Sequence, residues 1–467
     1  MSELNITFWS GIGSVTGANF LLESGDTKIL VDCGLVQGSP LAYEENSKPF
    51  PYDPKTIQYL FLTHAHMDHI GRVGKLVKDG FIGVIYSTKE TRELANIMIQ
   101  DALKVMNLKN EELSGEKKEE PLYGVEDFNK AMSLWKTIPY HVDTKISEEF
   151  SVYLKDAGHI LGSSMYEFTY DQKHTSSSTA KPIKIVFTGD SGNSPTPLLE
   201  NTEKITDADY LVLDSVYGDR NHEPKDERDR RFKQIVLDTI NKGGTLVIPA
   251  FSIERTQVIL YELNNLIEKE HIPSVPVFLD SPLGLKATEI YKHSSGLFNT
   301  GVKKEISFGD NIFNFPKLTI VHGREESEAI VKTSGSKIII AGSGMSSGGR
   351  IVGHEMHYLP DPNSTVLLMG YQAIGTLGRK ISEKPKQIEI NGSIIPIKAR
   401  IEMISGYSSH KDSDGLVSLV EDTVKKVKKV FVVMGEPKSS IFLVQRLRDE
   451  LDVDALYPER GVKYKLS

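Results

Sequence analysis

The first part of the chain alternates short apolar runs with polar breaks. Five runs, each bounded by turn-forming residues, have the length and alternation of β-strands: NITFWSG, NFLLES, KILVDCG, YLFLTHAH and GVIYST. Residues 88–108 change the period, with apolar side chains three or four positions apart at Leu94, Ile97, Met98, Ala102 and Val105. That spacing predicts a helix. Strands resume in FSVYLKDAGH, SSMYEFTY and IKIVFTGDSG.

From about residue 205 strands and helices alternate. Apolar runs such as GTLVIPA, VPVFLDS and SKIIIAGSGM are separated by amphipathic stretches such as RDRRFKQIVLDTINK. This alternation is typical of a parallel sheet covered by helices. Later the chain returns to shorter strands. We therefore expect an α/β protein in which a second domain interrupts the first, with segments 1–204, 205–384 and 385–467.

Composition narrows the class of protein. The 467 residues favour more than one core, and 39% hydrophobic with 25% charged residues is typical of globular proteins. We expect a cytoplasmic protein without membrane contact, because no apolar run approaches the roughly 20 residues of a membrane helix and no secretory signal is evident. The net charge of −8 argues against a protein that coats nucleic acid, although a local basic groove remains compatible with it. The single cysteine excludes an intrachain disulfide and a thiolate-rich metal site.

The stretch FLTHAHMDHIG, residues 61–71, places three histidines and an aspartate directly after an apolar run. Side chains alternate along a strand, so His64 and His66 are expected to point to the same side. Asp68 and His69 then project from the following turn or helix. Imidazole and carboxylate ligands suit zinc, manganese or iron better than calcium. The stretch therefore predicts a metal site.

Two further polar residues lie where apolar runs end: His159 in DAGHILGSS and Asp190 in VFTGDSG. Taken alone, either is explained as well by an ordinary hydrogen-bonded or surface residue. The histidine-rich stretch makes both of them candidate ligands, and an aspartate at such a position can bridge two ions.

These motifs together resemble the metallo-β-lactamase fold. HAHMDH is similar to the metal motif of that fold, and the segments around Asp32, His159 and Asp190 are similar to its first, third and fourth motifs. The stretches LVLDSVYGDRNH, GGTLVIPAFSIERTQ, SGMSSGGR and GYQAIGTLGR resemble the β-CASP family of RNA- or DNA-processing nucleases, which includes ribonuclease J. The resemblance implies a metallo-β-lactamase αββα sandwich with an inserted β-CASP α/β domain, a parallel sheet flanked by helices.

The resemblance also implies two zinc ions, with manganese as a possible substitute. One ion would be held by four residues: His64, His66, His159 and Asp190. The other would be held by Asp68, His69 and the shared Asp190. The implied substrate is RNA, and a homodimer is expected by analogy with relatives.

The same resemblance assigns roles in the hydrolysis of RNA phosphodiester bonds by a metal-activated hydroxide, in endonuclease or 5′-exonuclease mode. His410, in SGYSSHKD, matches a histidine that protonates the leaving group, and Asp214 matches the acidic residue expected to orient it. Asp32 follows a buried strand and is predicted to fix the tautomer of a ligand histidine, with a simple turn residue as the alternative. With Asp68, these residues form the predicted catalytic set.

One position departs from the family pattern. Members usually carry a ligand histidine in a Val-His-Gly-Glu stretch near the C-terminus, where VVMGEP places Met434. A thioether is a poor substitute for imidazole on zinc, so we expect a weak or open second site. The departure leaves open a second hypothesis, a catalytically silent RNA-binding paralogue. A third, a hydrolase of small thioesters or lactams, is disfavoured by the inserted domain.

A run of glycine and serine follows the apolar stretch IIIAG. Glycines let backbone N–H groups approach a phosphate and serines add donors, whereas the absence of a following Gly-Lys-Ser/Thr excludes a P-loop. A plain tight turn is the alternative, and the arginines could equally form ion pairs. We predict contact with RNA phosphate by eight residues: Ser343, Gly344, Ser346, Ser347, Gly348, Gly349, Arg350 and Arg379.

Overall fold

A computed structural model describes residues 3–38, 41–112, 121–171 and 181–467, with only the backbone for 107–112. The strands in chain order are β1 (Leu4–Ser10), β2 (Asn19–Ser24), β3 (Thr27–Val31), β4 (Tyr59–Phe61), β5 (Val84–Ser87), β6 (Trp135–Thr137), β7 (Thr144–Lys145), β8 (Phe150–Asp156), β9 (Ser164–Tyr170), β10 (Ile183–Phe187), β11 (Tyr210–Asp214), β12 (Thr245–Ala250), β13 (Val277–Asp280), β14 (Leu318–Ile320), β15 (Lys337–Gly342), β16 (Thr365–Met369), β17 (Gln387–Ile390), β18 (Ser393–Pro396), β19 (Arg400–Ile404), β20 (Lys429–Val433), β21 (Ala455–Leu456) and β22 (Lys463–Leu466).

The helices in chain order are α1 (Ala42–Ser47), α2 (Met67–Ile70), α3 (Val73–Lys78), α4 (Lys89–Glu112), α5 (Val125–Ser133), α6 (Lys225–Asn241), α7 (Arg255–Glu268), α8 (Pro282–His293), α9 (Thr300–Ser307), α10 (Arg324–Ala329), α11 (Arg350–Tyr358), α12 (Leu377–Ser382), α13 (Ser413–Glu421) and α14 (Pro437–Leu451). Helix α4 contains the helix predicted over 88–108 except for its first residue. Within the described ranges, no helix combines the length and apolarity needed to span a bilayer.

The chain forms two compact units. The first comprises 1–194, 201–221 and 410–467, and the second comprises 195–200 and 222–409. Two seven-stranded sheets build the first unit, in the orders β22-β1-β2-β3-β4-β5-β6 and β21-β20-β11-β10-β9-β8-β7.

The two sheets of the first unit pack face to face through aromatic side chains. The rings of Phe61 and Phe168, one from each sheet, meet edge to face with centroids 5.0 Å apart. On the outer face of the second sheet, Leu213 packs in an apolar cluster with Leu416 of α13 and Leu443 of α14. Helices α3 and α4 contact α5, and α4 contacts β6 of the first sheet. The expected αββα sandwich is confirmed.

The second unit contains a six-stranded sheet in the order β14-β13-β15-β12-β16-β19, and all its pairings are parallel. Its core joins strand residues such as Ile339 and Val366 to Ile351 of α11 and Ile381 of α12. Strands β17 and β18 form a separate antiparallel hairpin, and Ile388 of β17 reaches the same core. The expected parallel sheet flanked by helices is also confirmed.

The main boundaries between the units fall after residues 221 and 409, whereas we predicted them after 204 and 384. Strand β11 pairs in parallel with β10 and β20, so 201–221 completes a sheet of the first unit. Strand β19 pairs in parallel with β16, so 385–409 belongs to the second unit. We had expected this segment to belong to the first. Backbone hydrogen bonds along these two strands decide the division, and the apolar pattern does not carry that information.

Candidate metal centre

The histidine-rich stretch follows β4 directly. The backbone at His66 is extended (φ −72°, ψ 146°), and α2 begins at the next residue, so Asp68 and His69 lie in its first turn. His64 and His69 are completely buried. The predicted helical turn at Asp68 and His69 is present, but β4 ends at Phe61, so His64 and His66 lie beyond the strand on which we expected them.

A glycine allows the Asp190 segment to approach this stretch. Gly189 lies between β10 and Asp190 and has a left-handed backbone (φ +56°). A Cβ atom at Gly189 would lie 2.7 Å from the Cβ of Thr63. Any larger residue would therefore be strained by its own backbone and would press against the residue that precedes His64.

Four ligand atoms converge in the first unit. His64, His66, His159 and Asp190 each offer one, and all lie within 4.8 Å of one another. His66 Nδ1 lies 3.0 Å from His64 Nε2 and 3.2 Å from His159 Nε2. Asp190 Oδ2 lies 3.4 Å from Nε2 of both His64 and His159. Ligand atoms ~2.0–2.1 Å from a tetrahedral zinc are separated by ~3.4 Å, so the set has the dimensions of such a site.

Asp32 fixes the orientation of two histidines. Its carboxylate accepts hydrogen bonds from Thr63 N (2.8 Å), Thr63 Oγ1 (2.8 Å) and His69 Nδ1 (2.7 Å). Because the Thr63 hydroxyl donates to Asp32, its oxygen can accept from His64 Nδ1 at 3.0 Å. Both rings then turn Nε2 toward the cluster. These are the contacts that the predicted function of Asp32 requires. Thr63 was not singled out from the sequence, although it directly precedes His64 at the strand end.

The protonation preferences suit a metal ligand set. Burial, reinforced by the charge of His64, holds the pKa of His66 well below its usual range. Burial and then His410 do the same to the pKa of His159. Burial raises the pKa of Asp190, but the charges of His69 and His64 outweigh it and the pKa lies well below its usual range. His66 and His159 therefore favour the neutral imidazole and Asp190 favours the ionised carboxylate, which are the forms that bind metal.

His69 shows where a further cation fits. Burial lowers the pKa of His69, but the carboxylates of Asp190, Asp32 and Asp68 raise it well above its usual range. His69 Nε2 and Asp190 Oδ1 are buried 3.3 Å apart, and neither has a hydrogen-bond partner among the described residues. A proton or a metal ion satisfies both atoms, so the donor set fits a divalent cation that displaces the proton.

The second predicted ligand set is less closely gathered. His69 Nε2 lies 3.3 Å from Asp190 Oδ1 and 3.8 Å from Asp68 Oδ2. In the described chain, the other group with ligand atoms within 4.8 Å of one another is Asp190, Asp214 and His410. Met434 is buried beside the centre and lines a small pocket that His69 also lines. At this position of the chain, where the family pattern has an imidazole, the Met434 side chain belongs to the apolar core of the first unit.

His410 and Asp214 both lie next to Asp190. His410 Nδ1 is 3.8 Å from Asp190 Oδ2, and the His410 side chain is 21% exposed, so a substrate can reach it. Asp214 is completely buried and its Oδ1 accepts from Ser191 N at 3.0 Å. Burial and then the charge of Asp190 raise the pKa of Asp214 to about 7. The predicted acid and its predicted partner are therefore brought to one side of the cluster.

The predicted phosphate loop lies in the second unit, between β15 and α11. Ser347 and Gly349 are exposed, whereas Gly344 and Ser346 are buried. Only part of the predicted surface is thus presented to solvent.

The two predicted phosphate arginines differ in their contacts. Arg350 NH1 lies 2.5 Å from Asp280 Oδ1, and Arg350 NH2 donates to the His322 carbonyl at 2.8 Å. These contacts hold the start of α11 in place. They favour the alternative that Arg350 forms an ion pair within the protein. Arg379 is 42% exposed and lies 3.5 Å from Glu383, so its guanidinium remains accessible.

Three family profiles match the chain: Metallo-beta-lactamase superfamily over 13–144, Beta-Casp domain over 256–381, and Zn-dependent metallo-hydrolase RNA specificity domain over 394–458. Ribonuclease TTHA0252 of Thermus thermophilus is 34% identical, covering 92% of each chain. The chain belongs to the β-CASP family of metallo-β-lactamase-fold nucleases. This β-CASP protein is accordingly a metal-dependent hydrolase.

Other similar proteins agree with the family. Transcription termination factor FttA of Methanosarcina mazei is 30% identical over 97% of this chain and 70% of its own. The RNase J-like protein of Methanocaldococcus jannaschii is 29% identical over 94% of each chain. A solved structure of a protein of unknown function from Enterococcus faecalis aligns with a TM-score of 0.56 at 15% identity, over 99% of this chain and 100% of that one. That structure supports the fold alone.

Proposed function

We propose that this β-CASP hydrolase is a zinc-dependent ribonuclease, with manganese as a possible substitute. The observation that carries the proposal is the buried set of His64, His66, His159 and Asp190, whose ligand atoms have tetrahedral zinc spacing. The names of its relatives, a ribonuclease and an RNase J-like protein, support RNA as the substrate. Both endonuclease and 5′-exonuclease modes fit this site.

When bound, divalent ions supply neutralising charge to the scissile phosphate and lower the pKa of the attacking water. The chain's own residues complete the chemistry. His410 is partly exposed beside Asp190 and donates a proton to the departing 3′ oxygen. Asp214 lies buried on the same side and orients His410. Asp32 acts through His69, whose ring it holds at 2.7 Å.

We propose that RNA phosphate is contacted by the exposed part of the loop between β15 and α11, chiefly Ser347 and Gly349, and by Arg379. Ser343 and Gly348, which are half-buried, lie in the same loop. Cytoplasmic location and a homodimer stay predictions from the sequence.

Met434 supports a second candidate, a catalytically silent RNA-binding paralogue. A methionine in place of an imidazole weakens a second metal site. Metal analysis separates the two candidates, because the ribonuclease holds at least one zinc per chain and the silent paralogue binds RNA without metal.

The test joins metal analysis to cleavage of linear 5′-phosphorylated RNA and circular RNA. We expect the wild-type chain to bind zinc and cleave RNA, a chelator to abolish cleavage, and added zinc or manganese to restore it. His64→Ala should lose both zinc and activity, whereas His271→Ala, at an exposed position of the second unit, should keep both. A His64→Ala chain that cleaves as fast as wild type would refute the proposal. Cleavage of the circle reports endonuclease action.

A further inference from the structure

Glu355 is an acidic residue enclosed inside the second unit. It lies in α11 and is completely buried. Its Oε1 accepts a hydrogen bond from Ser346 Oγ at 2.5 Å, and its Oε2 has no hydrogen-bond partner within the described ranges. Burying a carboxyl group with one oxygen unpaired is unfavourable for folding. Among the described residues, the hydrogen bond from Ser346 is the interaction that offsets part of the cost of burying Glu355.

Ser346 lies in the loop between β15 and α11 in an unfavourable conformation. Its backbone is left-handed (φ +55°), as is that of Ser343 (φ +86°). Non-glycine residues keep such a conformation only where the surrounding contacts enforce it. The N–H of Ser346 donates to the Ser343 carbonyl at 2.9 Å, and its buried hydroxyl donates to Glu355. The acid thus anchors the loop from the inside.

Neighbouring residues tie the same loop at two other points. The Gly344 carbonyl accepts from Gln372 Nε2 at 3.0 Å, and the Met345 carbonyl accepts from Gly378 N at 3.0 Å. Ser347 follows these ties and is exposed. With the contact to Glu355, the base of the loop is held on several sides while its tip faces solvent.

We propose that Glu355 is a positioning residue for this loop. Through Ser346 it holds Ser347 and Gly349 where they meet an RNA phosphate, so the inference rests on the proposed function. Glu355 itself does not touch RNA. The adjacent serines then have different functions. Ser346 anchors the loop through its buried hydroxyl. The N–H of Ser347 donates to Ser343 Oγ at 3.0 Å, and its exposed hydroxyl, which lies 3.4 Å from the Met345 carbonyl, turns from that long contact to the phosphate.

Three variants test this proposal. Glu355→Leu removes the acceptor and keeps apolar volume, Ser346→Ala removes the donor, and a double variant removes both. Leaving one buried polar group unpaired lowers stability, whereas removing both partners is nearly neutral. We expect each variant to raise the Kd for a non-cleavable 2′-O-methyl RNA about fivefold, the size of one lost ordering contact. The double variant should recover wild-type stability but not wild-type Kd, and all three should retain wild-type zinc content.

His357→Ala, at an exposed position of the same helix, is the matched control and should leave the Kd unchanged. A double variant that regains wild-type Kd together with stability would show that the pair is only structural, which overturns the proposal. Unchanged Kd in every variant also overturns it. If a single variant fails to fold, the double variant carries the test. A wild-type chain that holds zinc but neither binds nor cleaves RNA refutes the proposed function itself, which is a distinguishable result.

Discussion

Replacing Glu355 by Gln should make the protein less sensitive to alkaline pH. Burial raises the pKa of Glu355 from its ordinary value of 4.5 to about 7. Between pH 4.5 and about 7, Glu355 is protonated in the folded state but ionised in the unfolded state. The free energy of unfolding therefore falls as pH rises through this window, and it levels off above the folded pKa. Gln keeps an acceptor for the Ser346 hydroxyl and does not ionise.

The size of the effect follows from the two pKa values. They differ by about 2.5, and each pKa unit corresponds to about 1.4 kcal/mol, so ionising Glu355 destabilises the folded chain by about 3 kcal/mol at high pH. At pH 5 part of this destabilisation is already present, because the carboxyl group of Glu355 is largely ionised in the unfolded chain. Between pH 5 and pH 8.5 the wild-type chain should lose roughly 2–3 kcal/mol more stability than Glu355→Gln.

Urea unfolding followed by far-UV circular dichroism, at both pH values, measures this difference. Other titrating groups are common to both proteins and cancel in the comparison. Glu328→Gln is the matched control, because Glu328 is 68% exposed and its pair with Arg324 contributes little. If wild type and Glu355→Gln lost stability in parallel between the two pH values, the assignment of a buried neutral acid would be wrong.

Three further predictions concern the metal centre. Met434→His should raise occupancy of the second metal in metal titrations, because imidazole replaces a thioether; equal occupancy would show that this position is not a ligand site. Asp32→Asn should weaken metal binding ~10–100-fold by equilibrium dialysis, since an amide N–H facing His69 Nδ1 favours the wrong tautomer; unchanged affinity would contradict that. Gly189→Ala should lower the free energy of unfolding by about 2 kcal/mol, from its left-handed backbone and the crowding against Thr63. Urea unfolding measures this, and an equally stable variant would exclude strain there.

Much of the metal centre was predictable from local sequence. The close spacing of His64, His66 and Asp68 just after a buried strand already indicated a shared site, and the helix that begins after His66 agrees with the predicted turn. The strand itself ends at Phe61, so strand alternation is not what brings the two histidines together. The Thr63 contact was not predictable, because it depends on Asp32, which is distant in sequence and reaches Thr63 through the pairing of β3 with β4.

Less of the second unit was predictable from local sequence. Its parallel strands were visible as apolar runs, but their boundaries depend on which sheet each edge strand joins. Arg350 looked like a phosphate ligand because it follows glycines and serines, whereas the fold brings Asp280 within 2.5 Å of it. Glu355 gave no signal in the sequence, because a glutamate in a helix is ordinarily exposed and only tertiary packing buries it.

The most direct test of the central claim is anomalous diffraction at the zinc edge from crystals of the wild-type chain grown with zinc. We predict a strong peak at the centre of the four atoms His64 Nε2, His66 Nδ1, His159 Nε2 and Asp190 Oδ2, with bond lengths of ~2.0–2.2 Å. A map with no peak there, or with zinc bound only by exposed side chains elsewhere, would contradict the account.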